Sequence, residues 1–197
     1  MRLRFVVRII QTSALQQRTK GFSGLVKGLS MGINLDQLEN YVATYGCVAR
    51  IVVGEAKGSV PRDTGTSMMV WSSGESGTIG GGALEFHAVN AARRALRTSK
   101  SWISSYPLGP QLGQCCGGFV KLVTEIYTAD NLPLVQSGLS VRLIGEGNVD
   151  QVPLKVSRAI SSARNQGLLV EPQLIDNWMV EPVINPGRDL WIWGAGH

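Results

Sequence analysis

The chain has 197 residues, of which 44% are hydrophobic and 17% charged, so it can bury a core without disulfide staples. No apolar run approaches the ~18 residues of a membrane-spanning helix, and three cysteines, two of them adjacent, exclude a secreted disulfide scaffold. The charge of +5 comes from the first 35 residues, because the remainder is almost neutral, which argues against nucleic-acid binding. We therefore expect a reducing compartment, the cytoplasm, with neither a nucleic-acid nor a membrane partner.

Residues 1–30 form a basic leader that allows three interpretations. They are rich in Arg and free of acidic residues, as mitochondrial transit peptides are. A secretory signal is disfavoured because Arg8 interrupts the apolar stretch. The third interpretation is a false start upstream of a chain that begins at Met31. We favour it because a capped helix is predicted directly afterwards, with a disordered tail or a transit peptide as the alternative.

The residues after the leader alternate between predicted helices and strands. Asn34 is a predicted N-cap with Gln37 three residues later, and Gly46 is a predicted helix stop. Periodicity and turn residues then predict, in chain order, a strand at 47–56, a loop around Pro61, a strand at 67–71, a turn at 72–76, a glycine loop at 77–82 and an amphipathic helix at 83–100.

The second half continues this pattern. We predict a short strand near Ile103, a glycine-rich loop at 108–118, a strand at 119–128, a strand at 140–147, a helix at 152–166, a linker at 180–189 and a terminal apolar strand that runs into a G-x-G. The order indicates an α/β fold, a mixed sheet with helices and glycine-rich ligand loops. The G-x-G is half of a dinucleotide-binding fingerprint and cannot bind a dinucleotide by itself.

The glycine loop at 78–82 is the first candidate for binding chemistry. Free N–H groups and the positive dipole end of the following helix favour an anion there. Gly80, Gly81 and Gly82 would let a ligand approach the backbone closely. Glu85 in the first helical turn would repel a phosphate aimed directly at it, and a tight turn without a ligand is the alternative.

The loop at 58–65 is the second candidate. Pro61 stiffens it, and the guanidinium of Arg62 could clamp a phosphate or a carboxylate with two hydrogen bonds. The competing interpretation is an Arg62–Asp63 surface pair, which would contribute little.

The third candidate contains Gln114, Cys115 and Cys116. Adjacent Cα atoms lie ~3.8 Å apart, below the ~4.4 Å lower limit of ordinary disulfides, so a structural bridge is not expected. The pair also lacks the C-x-x-C spacing of zinc sites. Thiols among glycines suit a soft ligand or sulfur transfer, whereas two small buried side chains are the alternative, and Cys47 is predicted to lie in the core.

Four segments together resemble the xanthine dehydrogenase accessory protein family of the XdhC/CoxI type. They are GSVPR at 58–62, GTIGGGALE at 77–85, GQCCGG at 113–118 and WIWGAGH at 191–197, in the family's order and spacing. The resemblance covers residues 32–197. It implies an N-terminal domain at 31–181, a linker at 182–189 and the first strand of a Rossmann-like domain at 190–197. We therefore expect a truncated protein: a gene-model fragment, the product of a split gene or a deliberately shortened chain.

The resemblance implies a carrier and insertion factor rather than an enzyme. Such a protein binds molybdenum cofactor (molybdopterin) while a cysteine desulfurase replaces an oxo ligand with sulfide, then delivers it to apo-xanthine dehydrogenase or a related molybdoenzyme. A homodimer is expected, and NAD(P) or another nucleotide only if the second domain is present. The residues expected to bind the cofactor are Arg62, Gly80, Gly81, Gly82, Gln114, Cys115 and Cys116, with Cys116 and Cys115 as metal ligands and no catalytic residue.

Two other interpretations remain open at this point. One is a thiol-dependent oxidoreductase that uses Cys115 or Cys116 with a nucleotide held elsewhere, although the sequence offers no general base near the pair. The other is an inactive fragment.

Overall fold

A computed structural model describes residues 32–109, 117–135, 138–166 and 170–184 of the chain. The chain divides into two units, and all described residues fall in the one that spans Ser30–Ile184. The leader, the predicted terminal strand and the residues Gln114, Cys115 and Cys116 lie outside the described residues. In the described part, no helix is both long and apolar enough to cross a membrane.

Three helices and eight strands make up the described fold. In chain order they are α1 Leu35–Tyr45, β1 Val48–Lys57, β2 Ser67–Trp71, β3 Gly74–Gly77, α2 Gly82–Ala95, β4 Trp102–Pro107, β5 Phe119–Tyr127, β6 Leu139–Leu143, α3 Leu154–Gln166, β7 Gln173–Ile175 and β8 Trp178–Pro182.

The first helix begins and ends as its sequence predicts. The Asn34 side chain accepts a hydrogen bond of 2.9 Å from the N–H of Gln37, which satisfies one of the free donors of the first turn. At the other end Gly46 has φ of 77° and donates its N–H to the carbonyl of Val42 at 2.8 Å. Both predictions are confirmed.

The strands form two antiparallel sheets. The larger has the order β3-β2-β1-β5-β4 and the smaller the order β6-β8-β7. The predicted α/β class is confirmed, but the strand pairs are antiparallel where a mixed sheet was expected. A parallel contact is formed by the isolated bridge between Ile33 and Val183, just outside the named strands.

Several predictions differ from the structure. The strand predicted at 140–147 is β6, which ends at Leu143, and β7 and β8 were not predicted. The predicted turn at 72–76 contains strand β3, because Trp71 pairs with Gly74 and leaves a tight two-residue connection. The predicted linker begins inside β8, where Glu181 pairs with Ser140 and is fully buried. Helix α2 ends at Ala95 rather than at residue 100.

The packing is layered around the larger sheet. One face carries α2, whose buried residues Leu84, Ala88 and Ala92 join the largest hydrophobic cluster. The opposite face packs against α1 and against the smaller sheet, where Val52 meets Met179 in a shared cluster. Helix α3 covers the far side of the smaller sheet through a further apolar cluster. Each sheet therefore has both faces covered.

Four charged side chains are buried where the two sheets meet. Arg50 on β1 forms two hydrogen bonds with Glu181 on β8, at 2.7 and 2.9 Å. Arg142 on β6 forms two with Glu125 on β5, at 2.6 and 3.0 Å, and a third with Glu181 at 2.5 Å. Two positive and two negative charges thus balance, and each sheet supplies one of each.

This network perturbs the ionisation of its members. Burial alone would raise the pKa of Glu181, but the charges of Arg50 and Arg142, together with their hydrogen bonds, lower that pKa from 4.5 to about 2. The carboxylate therefore stays ionised in the interior. The sequence shows each of these residues only as a single charge within an apolar strand, and none was predicted to have a role.

Candidate functional site

The second and third predicted loops meet at one end of the larger sheet. There Lys57, the last residue of β1, pairs with Phe119, the first of β5. A Cβ added to Gly118 would lie 2.2 Å from the carbonyl oxygen of Ser59 and 2.7 Å from that of Lys57. The backbone of the third loop therefore rests directly on the backbone of the second, and a glycine is required at the contact.

The first predicted loop, the glycine loop at 78–82, also packs against the second. Gly80 has φ of 128°, and a Cβ placed there would lie 2.6 Å from Cγ of Pro61. It would also lie 3.7 Å from Cγ of Arg62, so the stem of that side chain passes beside the glycine loop. Ile79 is fully buried and anchors the loop in the core. The loop at 58–65 thus lies between the other two.

The predicted cysteine loop begins and ends at this junction. The N–H of Leu108 donates to the carbonyl of Gly118 at 2.8 Å and closes the base of the connection between β4 and β5. The intervening segment with Gln114, Cys115 and Cys116 lies outside the described residues, and their predicted roles stay predictions. Gly117, which follows Cys116 directly in the sequence, is described and lies next to Gly58.

The glycine loop already holds a negatively charged group. Oε2 of Glu85 accepts hydrogen bonds from Oγ1 of Thr78 at 2.5 Å, from the N–H of Ile79 at 2.9 Å and from the N–H of Gly81 at 3.1 Å. Burial would raise the pKa of Glu85, but these hydrogen bonds outweigh it and lower the pKa below its ordinary value. Two N–H groups that were expected to be free are thus engaged within the chain.

Glu85 was expected to repel a phosphate aimed at the start of the helix, and that expectation stays a prediction. Its role as the hydrogen-bond acceptor of the loop was not predicted. Glu85 accepts from the N–H of the N-cap residue Gly81 four positions earlier, one position more than the spacing of a capping box. A carboxylate in the first helical turn is visible in the sequence, whereas this contact depends on the path of the glycine loop.

Arg62 is the cation at the junction that lacks an ion pair within the described ranges. It is half-buried, and the competing Arg62–Asp63 surface pair is not formed. Lys57, by contrast, pairs with Glu55, which also contacts Lys121 at 2.7 Å. Hydrogen bonds from Lys121 and then Lys57 lower the pKa of Glu55, so both lysines are ion-paired, although the single carboxylate balances only one of their two charges.

Space for a ligand exists beside the loop at Gly81. Its φ is 75°, and a Cβ placed there would meet no heavy atom within 4 Å. Gly80 is therefore packed against protein, whereas Gly81 presents its Cα to open space. A ligand could approach the backbone at Gly81 more closely than any side chain would allow.

The third cysteine is separate from this junction. Cys47 directly precedes β1, packs against the largest hydrophobic cluster and donates from Sγ to the carbonyl of Leu96 at 3.4 Å. Burial raises its pKa, which is typical of an unreactive thiol. Among the described residues, no three His, Cys, Asp or Glu side chains are grouped to hold a metal ion.

Comparison with known proteins supports the predicted resemblance over part of the chain. Residues 43–107 match the XdhC and CoxI family, and this segment, about a third of the chain, contains the first two loops of the junction. The predicted resemblance is confirmed for these residues. A crystal structure described as a xanthine dehydrogenase from Bacillus halodurans is similar over 84% of this chain and 46% of its own length, with 16% identity and a TM-score of 0.44. The chain thus spans less than half the length of that structure. No curated protein matches the chain.

Proposed function

We propose that this chain takes part in molybdoenzyme maturation and binds molybdenum cofactor where its three glycine-containing loops meet. The observation that carries the proposal is the contact of Gly118 with Ser59 and of Gly80 with Pro61, which joins segments far apart in the sequence. Close backbone contacts through glycine on both sides of one loop are typical of a built site. The match of residues 43–107 to the XdhC and CoxI family supports a role in molybdoenzyme maturation, and molybdenum cofactor is the ligand that we propose on that basis.

The described residues fit the anionic end of such a cofactor. Arg62 offers a guanidinium without an ion-pair partner in the described part, and a guanidinium can form two hydrogen bonds with a phosphate. The open space at Gly81 admits a ligand next to the backbone, and Gly80 and Gly82 flank it in the sequence. The chain's task there is to bind and orient the cofactor, which supplies a molybdenum centre to the recipient enzyme.

Gln114, Cys115 and Cys116 complete the proposed site from the third loop. A thiolate is a soft ligand and suits a molybdenum–sulfur centre. In this scheme the chain is a cytoplasmic carrier that forms a homodimer. It holds the cofactor while a cysteine desulfurase supplies the sulfide that replaces an oxo ligand. It then transfers the cofactor to apo-xanthine dehydrogenase or a related molybdoenzyme. A nucleotide would bind only to a further domain.

The experiment replaces the cysteine pair and compares it with the third thiol. We expect the double variant Cys115→Ser, Cys116→Ser to lose co-elution of molybdenum and pterin on gel filtration, because a hydroxyl is a poor ligand for a soft centre. The matched control is Cys47→Ser, which changes a thiol away from the junction and should leave co-elution intact. Each single variant is measured as well, with Cys116→Ser expected to have the larger effect.

A thermal melt of every variant separates binding from folding. Loss of cofactor with an unchanged melt supports the proposed role of the pair. Full retention of cofactor by the double variant would contradict a ligand role. Loss of cofactor together with a collapsed melt would show that both cysteines are buried packing residues instead.

A further inference from the structure

We propose that Glu85 is a positioning residue of this site: its carboxylate is the anion that the glycine loop binds, and it holds the loop against Pro61 and Arg62. The proposal rests on the proposed function, in which these loops form the cofactor site. It changes one element of that function, because the cofactor's anionic group is then recognised by Arg62 and not by the N–H groups of Ile79 and Gly81.

The hydrogen-bond donors of the glycine loop point to the carboxylate of Glu85. Thr78, Ile79 and Gly81 all donate to the same oxygen, Oε2, at distances between 2.5 and 3.1 Å. The hydroxyl of Thr78 in turn accepts from the N–H of Gly80 at 3.1 Å. The donors of the loop therefore converge on one carboxylate of the chain, and a ligand phosphate would have to displace it.

The negative charge of Glu85 disfavours a second anion at the same N–H groups. A phosphate placed at the same N–H groups would lie beside an ionised carboxylate, and like charges at a few ångströms repel. The nearest cation free of an ion pair in the described residues is Arg62, whose stem passes Gly80. Arg62 can therefore receive the ligand's anionic group while Glu85 keeps its own donors.

The three successive glycines of the loop have a backbone that must be held in place by other residues. Gly80, Gly81 and Gly82 have φ values of 128°, 75° and 65°, so three successive residues adopt the left-handed region. Glycines have the largest conformational entropy to lose, and the segment has no side chain of its own to fix this path. The hydrogen bonds of Glu85 supply that constraint, which keeps Gly80 in contact with Pro61.

The experiment uses the full chain with three variants: Glu85→Ala, Glu85→Gln and the control Glu75→Ala. Glu75 is a half-exposed carboxylate that pairs with Arg93 on α2 at 2.7 Å, so its loss tests for a general effect of charge. The readouts are affinity for isolated molybdenum cofactor, amide hydrogen exchange of Ile79 and Gly81, and calorimetric titration with inorganic phosphate. Each variant is also measured with added formate, a small carboxylate that can replace the missing one.

We expect Glu85→Ala to bind the cofactor about tenfold or more weakly, because a partly buried acceptor for several donors is lost. Exchange at Ile79 and Gly81 should rise, and formate should restore both readouts. Glu85→Gln keeps an acceptor oxygen in nearly the same place and should retain most of the affinity. The control Glu75→Ala should behave as the unaltered chain in both readouts.

Two results would overturn the proposal. The first is unchanged or tighter cofactor binding by Glu85→Ala, together with a new affinity for inorganic phosphate, which would make the loop a phosphate site that Glu85 merely covers. The second is unchanged exchange at Ile79 and Gly81 in Glu85→Ala. If Glu85→Ala does not fold, Glu85→Gln provides the test. Its amide exchange at Ile79 and Gly81 should be faster than in the unaltered chain. An unaltered chain that binds no cofactor but shows the exchange effect would refute the proposed function and leave the positioning role standing.

Discussion

At the scale of single residues, Gly80 and Gly81 differ in what surrounds them, although they are neighbours and both have a positive φ. Gly80 faces the ring of Pro61, and Gly81 faces open space. The two positions therefore separate backbone strain from steric contact, and one substitution at each can test the loop packing.

We expect Gly80→Ala to destabilise the protein more than Gly81→Ala does. Both alanines must adopt positive φ, which costs about 1–2 kcal/mol. The Cβ at residue 80 would in addition lie 2.6 Å from Pro61 Cγ, so the two loops must move apart. Urea denaturation of both variants measures the difference in the free energy of unfolding. Equal destabilisation would show that the contact with Pro61 is not made.

The residue scale also marks the limit of what the sequence could predict. The N-cap Asn34 and the stop at Gly46 follow from local chemistry and were predicted correctly. The partnership of Arg50 with Glu181 depends on which strands face each other across two sheets, and no local pattern encodes that. The three loops were found because glycine, proline and cysteine are unusual in themselves, whereas their mutual contact is a property of the fold.

At the scale of elements, the two sheets are joined by matched charges as well as by apolar packing. The sequence predicted most helices and strands of the described part, since their periodicity is strong. Strand β3 was missed because its residues Gly74–Gly77 are typical of turns. Strands β7 and β8 were missed as well. A linker was predicted at 180–189 because Glu181 and Pro182 look like surface residues until β6 pairs beside them.

We expect Glu181→Gln to destabilise the protein by roughly 3–5 kcal/mol, because Glu125 is then the single carboxylate for two buried arginines. The double variant Arg50→Met, Glu181→Leu removes one charge of each sign and should cost less than the single variant. Chemical denaturation of both gives the comparison. A double variant less stable than Glu181→Gln would mean that shape rather than charge balance holds the sheets together.

The stability of the protein should fall in acid below pH 4.5. The pKa of Glu181 is about 2 in the folded state and lies below its ordinary value of 4.5, so the folded state binds this proton less readily than the unfolded state. The stabilisation is complete above pH 4.5 and is lost as the pH falls towards 2. Melting temperatures between pH 6 and pH 2.5 test this, and Glu181→Gln should give a flatter curve than the unaltered chain.

At the scale of the whole described unit, its first and last residues lie side by side. The N–H of Ile33 donates to the carbonyl of Pro182 at 2.9 Å, and the N–H of Ile184 donates to the carbonyl of Ile33 at 2.8 Å. Ile33 is fully buried. The segment around Ile33 therefore connects the start of the described unit to the end of strand β8 through two hydrogen bonds.

We expect a chain that starts at Met31 to keep the melting temperature and the cofactor retention of the full chain, because this connection begins after that residue. A chain that starts at Leu35 loses Ile33 and the Asn34 cap, and should melt at a clearly lower temperature. Calorimetry of both chains is the measurement. Equal melting of the full chain and the Leu35 start would show that the connection contributes nothing.

The hydrogen bonds between Arg50 and Glu181 join residues 131 positions apart, and this separation sets a delay during synthesis. A ribosome adds about 5–20 residues per second, so Glu181 is made roughly 7–26 s after Arg50. During that interval Arg50 lacks the carboxylate with which it forms two hydrogen bonds. Since non-local strand pairing is slow as well, the nascent chain presents the Arg50 face of β1 to water and to chaperones until strand β8 is made.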